Sequence, residues 1–404
     1  MSQRKRWFLW FALTAALMAA LSGMAAANEP KLQLSTSNPA KIGQEGFLRL
    51  FGYGNVALGN NVLPSADLVK FVENPDLDQA LLDLLPSEGL RVWLDNDNGI
   101  ELGVGSIEIR TSVNLSGAVQ VMPDLLALAV NEPKVGDKYS ADGTDVTLGA
   151  YTTVAAGGSL GLPAVAQSLG WDDFRIGVRV QALSGVGYVR AEISGGIEIE
   201  QDQVDGVLVG ELWQRPSETS LWTAGQGYAF DVGVQGWLSD RWSVGVAVAN
   251  LGGRLSWDDV HYQRLESKIT WDAATGDFEL DWDLVSEETQ TVVWYLPRRV
   301  EGTVGFRASD TLFVSAGIAQ TTYFNQDGSA SDNRTDFNAN VVWEGVPFLP
   351  LAAGVTYSGS SGWSLSTGTA LNLGPVRLTA QVDSVPLPNF GREVGISLGA
   401  GLAF

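Results

Sequence analysis

The eleven residues that close the chain, from Val394 to Phe404, constrain the fold more tightly than any other stretch. Val394, Ile396, Leu398, Ala400, Leu402 and Phe404 recur at every second position, while Gly395, Ser397, Gly399, Gly401 and Ala403 between them are small. Side chains two apart share a face of a strand, so this segment is a ribbon with one continuous apolar band and one nearly bare face. A strand with a water-facing side carries charge there. An apolar exterior over a face of small residues, with an aromatic at the end, is what a barrel strand in a membrane needs.

The start of the chain points the same way. Arg4, Lys5 and Arg6 precede an apolar run from residue 7 to 21, and Ala25-Ala26-Ala27 offers a small-residue cleavage site. Residues 1–27 therefore read as a secretory signal peptide cut near Ala27. No run of about twenty apolar residues follows, so a helical span is not expected. An exported chain with no cysteine has no disulfides and must close its fold by hydrogen bonding and packing. Its 47 glycines and 14 tryptophans suit a crowded barrel wall with aromatic rings at the interfaces. The net charge of −21 excludes nucleic acid as a partner, since nothing would neutralise phosphates.

The interior alternates strand and turn signals. Residues 47–56 read as a first strand, with Phe47, Phe51 and Tyr53 on one face. Asn74-Pro75-Asp76 supplies a cap, a proline at the first position and an acidic first turn for a helix over residues 75–85, expected to pack at the barrel mouth. Asp95-Asn96-Asp97-Asn98-Gly99 reads as a hairpin turn. Short helices are expected at 123–130 and 162–169. Further strands are expected at 174–182, 187–199, 204–213, 228–238, 242–257, 289–295, 300–307, 311–323, 337–343, 351–357, 363–373 and 376–382. Short connections such as Ser239-Asp240-Arg241 and Gly374-Pro375 alternate with long polar ones at 258–288 and 325–336, the layout of an outer-membrane barrel. The clearest hairpin is 228–257, where Phe230, Val232 and Val234 alternate with Asp231, Gly233 and Gln235. The expected fold is all-β: a transmembrane antiparallel β-barrel of about fourteen strands (twelve to sixteen) with a few loop helices. Residues 28–45 form a periplasmic or lumenal segment and 46–404 the barrel.

At that hairpin the sequence resembles a known family. Phe230-Asp231-Val232-Gly233, the Asp240-Arg241 turn and Val248-Ala249-Asn250-Leu251-Gly252-Gly253 are similar to the "D-L-G … N-L-G-G" hairpin of FadL- and PorV-type outer-membrane proteins. Asn38-Pro39-Ala40 resembles that family's N-P-A turn near the mature N-terminus. Leu296-Pro297-Arg298-Arg299-Val300 with Gly305-Phe306-Arg307, and Gly374 to Leu378, resemble its late strands. The resemblance implies passive passage of hydrophobic or amphipathic small molecules, with Asn38, Pro39 and Ala40 as a pore or hatch segment. Leu398, Leu402 and Phe404 would be the C-terminal signal read by the barrel-assembly machinery, and outer-membrane lipid and lipopolysaccharide the surroundings. The alternative is a structural, assembly or surface-protein-anchoring role of the PorV kind, with the acidic loops as contact surfaces.

Enzymatic chemistry has little to work with. Gly157-Gly158-Ser159-Leu160-Gly161 fits a nucleophile-elbow pattern, but Gly395 to Gly399 fits it equally well inside a strand. His261 is the only histidine, in Asp258-Asp259-Val260-His261, where solvated loop residues are the default over metal ligands. Asp95 to Gly99 departs from a calcium loop at both its glycine and its twelfth residue. No cofactor, catalytic residue or metal site is expected.

Overall fold

The computed structural model of the protein describes residues 38–42, 47–62, 82, 85–130, 134–200, 204–215, 225–272, 277–359, 361–383 and 392–404. The signal segment, and all but Leu82 and Leu85 of the helix expected over 75–85, lie outside the described residues.

The strands in order are β1 (Leu48–Asn60), β2 (Leu90–Val104), β3 (Ile107–Val121), β4 (Lys138–Ser140), β5 (Thr144–Gly161), β6 (Asp173–Ile199), β7 (Val204–Gln214), β8 (Gln226–Trp237) and β9 (Trp242–Asp272). They continue as β10 (Asp277–Tyr295), β11 (Arg298–Ser309), β12 (Leu312–Phe324), β13 (Ala330–Trp343), β14 (Leu351–Ser358), β15 (Gly362–Leu373), β16 (Val376–Asp383) and β17 (Glu393–Ala403). Neighbours pair antiparallel, and β17 returns to pair with β1, so the sheet closes on itself. β8 and then β7 pair along the length of β6, β11 and then β10 along β9, and β4 is a three-residue addition. The barrel wall is therefore fourteen staves. Backbone bonds complete the seam: Phe47 and Leu48 donate to the carbonyl of Phe404 at 2.8 and 3.2 Å, and Phe404 donates back to Leu48 at 2.9 Å. Closure leaves no open edge in the wall, the condition for backbone to sit in hydrocarbon.

The two faces follow the alternation. Along β6, Ile176, Val178 and Val180 are exposed, whereas Gly177 and Arg179 between them are buried. Along β17, Ile396, Leu398 and Leu402 point out, and the small face points in. The bare face has a definite use: a Cβ on Gly401 would overlap the ring of Phe51, which lies flat against it inside the barrel. Phe51 and Tyr53 are thus lumenal, and the outward residues of β1 are Leu48 and Leu50.

Three expectations are corrected. Asp95 to Gly99 is not a hairpin turn but the middle of β2, with the reversal at Gly105 (φ +55°). A lumen-facing side needs no apolar residue, so Asp95 and Asp97 sit in a strand that a water-soluble sheet would have broken there. Residues 258–288 are not a long loop: β9 runs 31 residues and pairs with β10. At about 3.4 Å per residue that strand reaches far beyond the roughly ten residues that cross a bilayer. Its outer half, wet on both faces, shows no apolar alternation to read. Residues 183–186 do not divide two strands, because β6 is continuous with one register shift opposite Ala150 and Tyr151. Gly185 is there because the Trp257 ring occupies the space of its missing side chain. The two short helices form as expected, α1 over Pro123–Val130 and α2 over Pro163–Leu169, the latter stopped by Gly170 in the left-handed region.

Candidate functional site

The candidate site is the barrel lumen, which the described part of the N-terminal segment narrows towards the short-turn rim. Pro39–Lys41 form one 3-10 turn, capped by the Asn38 side chain, which accepts from the amide of Ala40 at 3.0 Å. The other end of that side chain donates to the carbonyl of Val234 in β8 at 2.9 Å. Asn38, Pro39, Ala40 and Ile42 are all buried. They can sit against the wall because inward positions of β5, β6 and β8 are glycine. A Cβ on Gly177 would collide with the Pro39 carbonyl, one on Gly233 with the Asn38 amide, and one on Gly157 would stand 3.0 Å from Ile42. Ser159 fixes the end of the segment by donating its hydroxyl to the Ile42 carbonyl at 2.5 Å.

Beside the turn lies a buried ion cluster. Arg179 of β6 pairs with Glu108 of β3 at 2.7 Å and with Asp231 of β8 at 3.2 Å, all three almost fully shielded. The same Asp231 accepts from Gln181 at 2.8 Å and from the backbone amide of Asn250 at 2.9 Å. Asn250 (φ +56°) lies at an irregularity in the pairing of β8 with β9, so the Asp231 carboxylate replaces a missing ladder bond. Arg49, 1% exposed, faces Glu101 at 3.6 Å next to this cluster. Charges buried this deeply persist only when paired.

Above the floor is a cavity of about 720 Å³, adjoined by an outer chamber of about 810 Å³ that shares lining residues Arg91, Asp145, Trp294 and Tyr323 with it. Trp294 divides the two. It leaves β10 and crosses the interior to lie on Gly149 of β5, edge-on to Tyr151 with centroids 5.8 Å apart. Arg110 pairs with Asp97 at 2.6 Å and covers the Tyr53 ring at 4.3 Å, and Arg334 pairs with Asp336 at 2.8 Å and Glu393 at 3.4 Å. At the mouth, Asp327 is held below the ordinary carboxylate range by hydrogen bonds from the hydroxyl and amide of Ser329.

Asn38, Pro39 and Ala40 are thus brought together inside the lumen, while Leu398 and Leu402 face outward and Phe404 holds the seam. Ser159 is a strand residue whose hydroxyl is engaged, not an elbow nucleophile. Asp258, Asp259 and His261 lie in β9, where His261 faces Glu287 at 3.8 Å. Among the described residues no group of three or more ligand-type side chains is assembled to hold a metal. Sequence reasoning missed Arg179, Glu108 and Trp294. The signal was present in Arg175-Ile-Gly-Val-Arg179-Val-Gln181, where charged and apolar residues alternate in a strand whose charged side cannot be solvent-facing if the apolar side meets lipid.

A closed barrel with an apolar exterior and a charged lumen is a transmembrane β-barrel of the outer-membrane class. The chain belongs to the family of unknown function DUF5723, whose profile matches residues 49–383. No curated protein matches it. Among solved structures it is similar to the toluene transporter TodX of P. putida, with a TM-score of 0.53 at 12% identity over 91% of this chain and 93% of that one. It is also similar to the monoaromatic hydrocarbon channel CymD, with a TM-score of 0.50 at 8% identity over 96% and 97%. A FadL homologue of Pseudomonas aeruginosa gives a TM-score of 0.50 at 12% identity over 95% and 96%. At such identities the likeness is one of fold.

Proposed function

We propose that this protein is a passive outer-membrane channel for small hydrophobic or amphipathic molecules. Solute enters the two chambers from the long-strand rim, and the Asn38-Pro39-Ala40 turn is the hatch that bars the other end. The observation that carries the reading is the combination of a roomy lumen with a stop whose described residues, 38–42, lie on a glycine bed. The stop is not a member of the barrel's own strand ladder, so displacing it leaves the wall paired. The structural likeness to hydrocarbon channels supports the same reading by analogy of fold. Passage needs no energy source, since a barrel of this kind offers only a path down a gradient. Secretion with removal of residues 1–27, insertion by the barrel-assembly machinery through Leu398, Leu402 and Phe404, and contact with lipid and lipopolysaccharide belong to the same proposal.

The test is uptake of a labelled amphipathic solute such as 2-phenylethanol by liposomes containing the purified full chain. Uptake above that of empty liposomes supports the channel. Uptake equal to theirs, with the barrel shown to be folded, rejects it.

A further inference from the structure

The inward face of β5 has one gap in its row of side chains. Asp145, Thr147, Tyr151 and Thr153 line the lumen, and Gly149 stands between Thr147 and Tyr151. A glycine inside a strand marks the close approach of another group. Here that group is the indole of Trp294, whose ring occupies the space a Cβ on Gly149 would need. The ring is held at both ends. Where it leaves β10, Trp294 pairs with Leu255 of β9 and packs on the buried cluster that includes Trp257, Val260 and Val292. At its far end it meets Tyr151 edge-on, with centroids 5.8 Å apart. Trp294 lines both chambers, together with Arg91 of β2, Asp145 of β5, Tyr323 of β12 and Asp332 of β13. These residues form a collar between the chambers, and Trp294 is its bulkiest member. The chambers, of about 720 and 810 Å³, fall in the range of about 300–1,000 Å³ that holds a drug-sized molecule, so neither limits a small solute by its own volume. The collar between them does.

We propose that Trp294, seated on Gly149, is the size filter of the lumen: it admits single-ring solutes from the outer to the inner chamber and stops fused-ring ones. The proposal rests on the channel reading above and names the residue that sets its size limit. Arg91, Asp145 and Asp332 are half-exposed or exposed, and such side chains change rotamer freely. A polar fringe of that kind yields to a passing molecule. The indole does not yield in the same way, because leaving its seat gives up the edge contact with Tyr151 and the close packing on the β5 backbone. The glycine is therefore part of the filter, since a methyl group at that position displaces the ring while leaving Trp294 itself and its root in β10 unchanged.

The chain has no cysteine, so single introduced thiols report how far a reagent penetrates. Ser116→Cys places one in the inner chamber and Ser194→Cys one in the outer, each at a residue that lines only that chamber of the two. The full chain in a non-ionic detergent is treated with N-phenyl iodoacetamide or N-pyrenyl iodoacetamide, neutral reagents that share one reactive group and differ in bulk. The pyrenyl-to-phenyl ratio of labelling rates at each thiol cancels the reactivity of the thiol itself. The ratio is expected to be several-fold lower at Ser116→Cys than at Ser194→Cys. Adding Gly149→Ala or Trp294→Ala to the Ser116→Cys chain is expected to raise its ratio to that of the outer thiol. Equal ratios at the two thiols, failure of the phenyl reagent to reach the inner one, or a ratio unmoved in the folded Gly149→Ala chain would each overturn the proposal. The comparison of the two thiols stands even where Trp294→Ala or Gly149→Ala fails to fold. Failure of the channel reading shows separately, as absent liposome flux of 2-phenylethanol with the labelling pattern intact, whereas intact flux with equal ratios removes only the filter.

Discussion

The hydroxyl of Ser159 donates to the carbonyl of Ile42 at 2.5 Å across 117 residues of sequence, tying the N-terminal segment to the inner face of β5. The Asn38 side-chain amide, donating to the carbonyl of Val234 in β8, adds a second side-chain link between the segment and the wall. The rest of the hold is shape: the Pro39–Lys41 turn fills the space that glycine leaves on three strands. A turn seated this way is sensitive to any side chain placed beneath it.

Gly177→Val is therefore expected to push the turn off its seat while leaving β6 paired, because valine suits a strand and the collision is with the hatch alone. Liposome flux of 2-phenylethanol should rise several-fold over the wild-type chain. Gly161→Val, at a position with open space around the missing Cβ, should change nothing. Equal flux in the two variants would show that the turn does not limit passage.

Among the described residues, Arg179 is the cation that pairs with both Glu108 and Asp231. Arg179→Met leaves two buried carboxylates without a counter-charge, and breaking a buried pair in this way costs about 3–5 kcal/mol. The temperature at which the folded band is lost on a gel in detergent should fall sharply. Adding Glu108→Gln and Asp231→Asn removes the stranded charges and should recover a large part of the loss. A single variant as stable as wild type would mean that the cluster is solvated.

The seam between the first and last strands depends on backbone bonds from Phe47, Leu48 and Phe404. Deleting Phe404 removes these bonds and the terminal aromatic ring together. The truncated chain should insert into the outer membrane at a small fraction of the wild-type level, measured by heat-modifiable migration of the membrane fraction. Phe404→Tyr keeps both backbone and ring and should insert normally. Normal insertion of the truncated chain would separate the seam from the assembly signal.

The face assignments were the most legible part of the fold. In β17 the outward positions of Ile396, Leu398 and Leu402 follow directly from period-two alternation, because lipid outside and a narrow lumen inside act on alternate residues. Asp95 to Gly99 misled because turn chemistry and lumenal polarity use the same residue types, and one sequence does not say which of the two waters a polar residue meets. Residues 258–288 misled for a related reason: once strands leave the bilayer, both faces are wet and the alternation that marks them disappears. The turn of Asn38, Pro39 and Ala40 was legible as a motif. Their glycine seat was not, since Gly157, Gly177 and Gly233 come together only when β5, β6 and β8 are placed side by side. The pairing of Arg179 with residues 71 and 52 positions away is likewise a product of the closed sheet, not of any local pattern.

The claim under all of these is that the exposed apolar band faces acyl chains, and one strand tests it. Val154 of β5 is exposed on the outer face, whereas Thr147 of the same strand borders the lumenal chambers. Placing arginine on the lipid face near the middle of a bilayer costs about 2–4 kcal/mol, whereas a lumenal arginine stays in water. Val154→Arg should lower the stability of the barrel refolded into phospholipid vesicles by about that amount. Thr147→Arg, which places its charge beside Asp145, should leave stability near the wild-type value. The same Val154→Arg chain in detergent micelles, where a long side chain can reach water by a short detour, should lose much less. If the two arginine variants were equally stable in vesicles, the outer band would not be in contact with hydrocarbon, and a channel through the membrane would have no wall to run in.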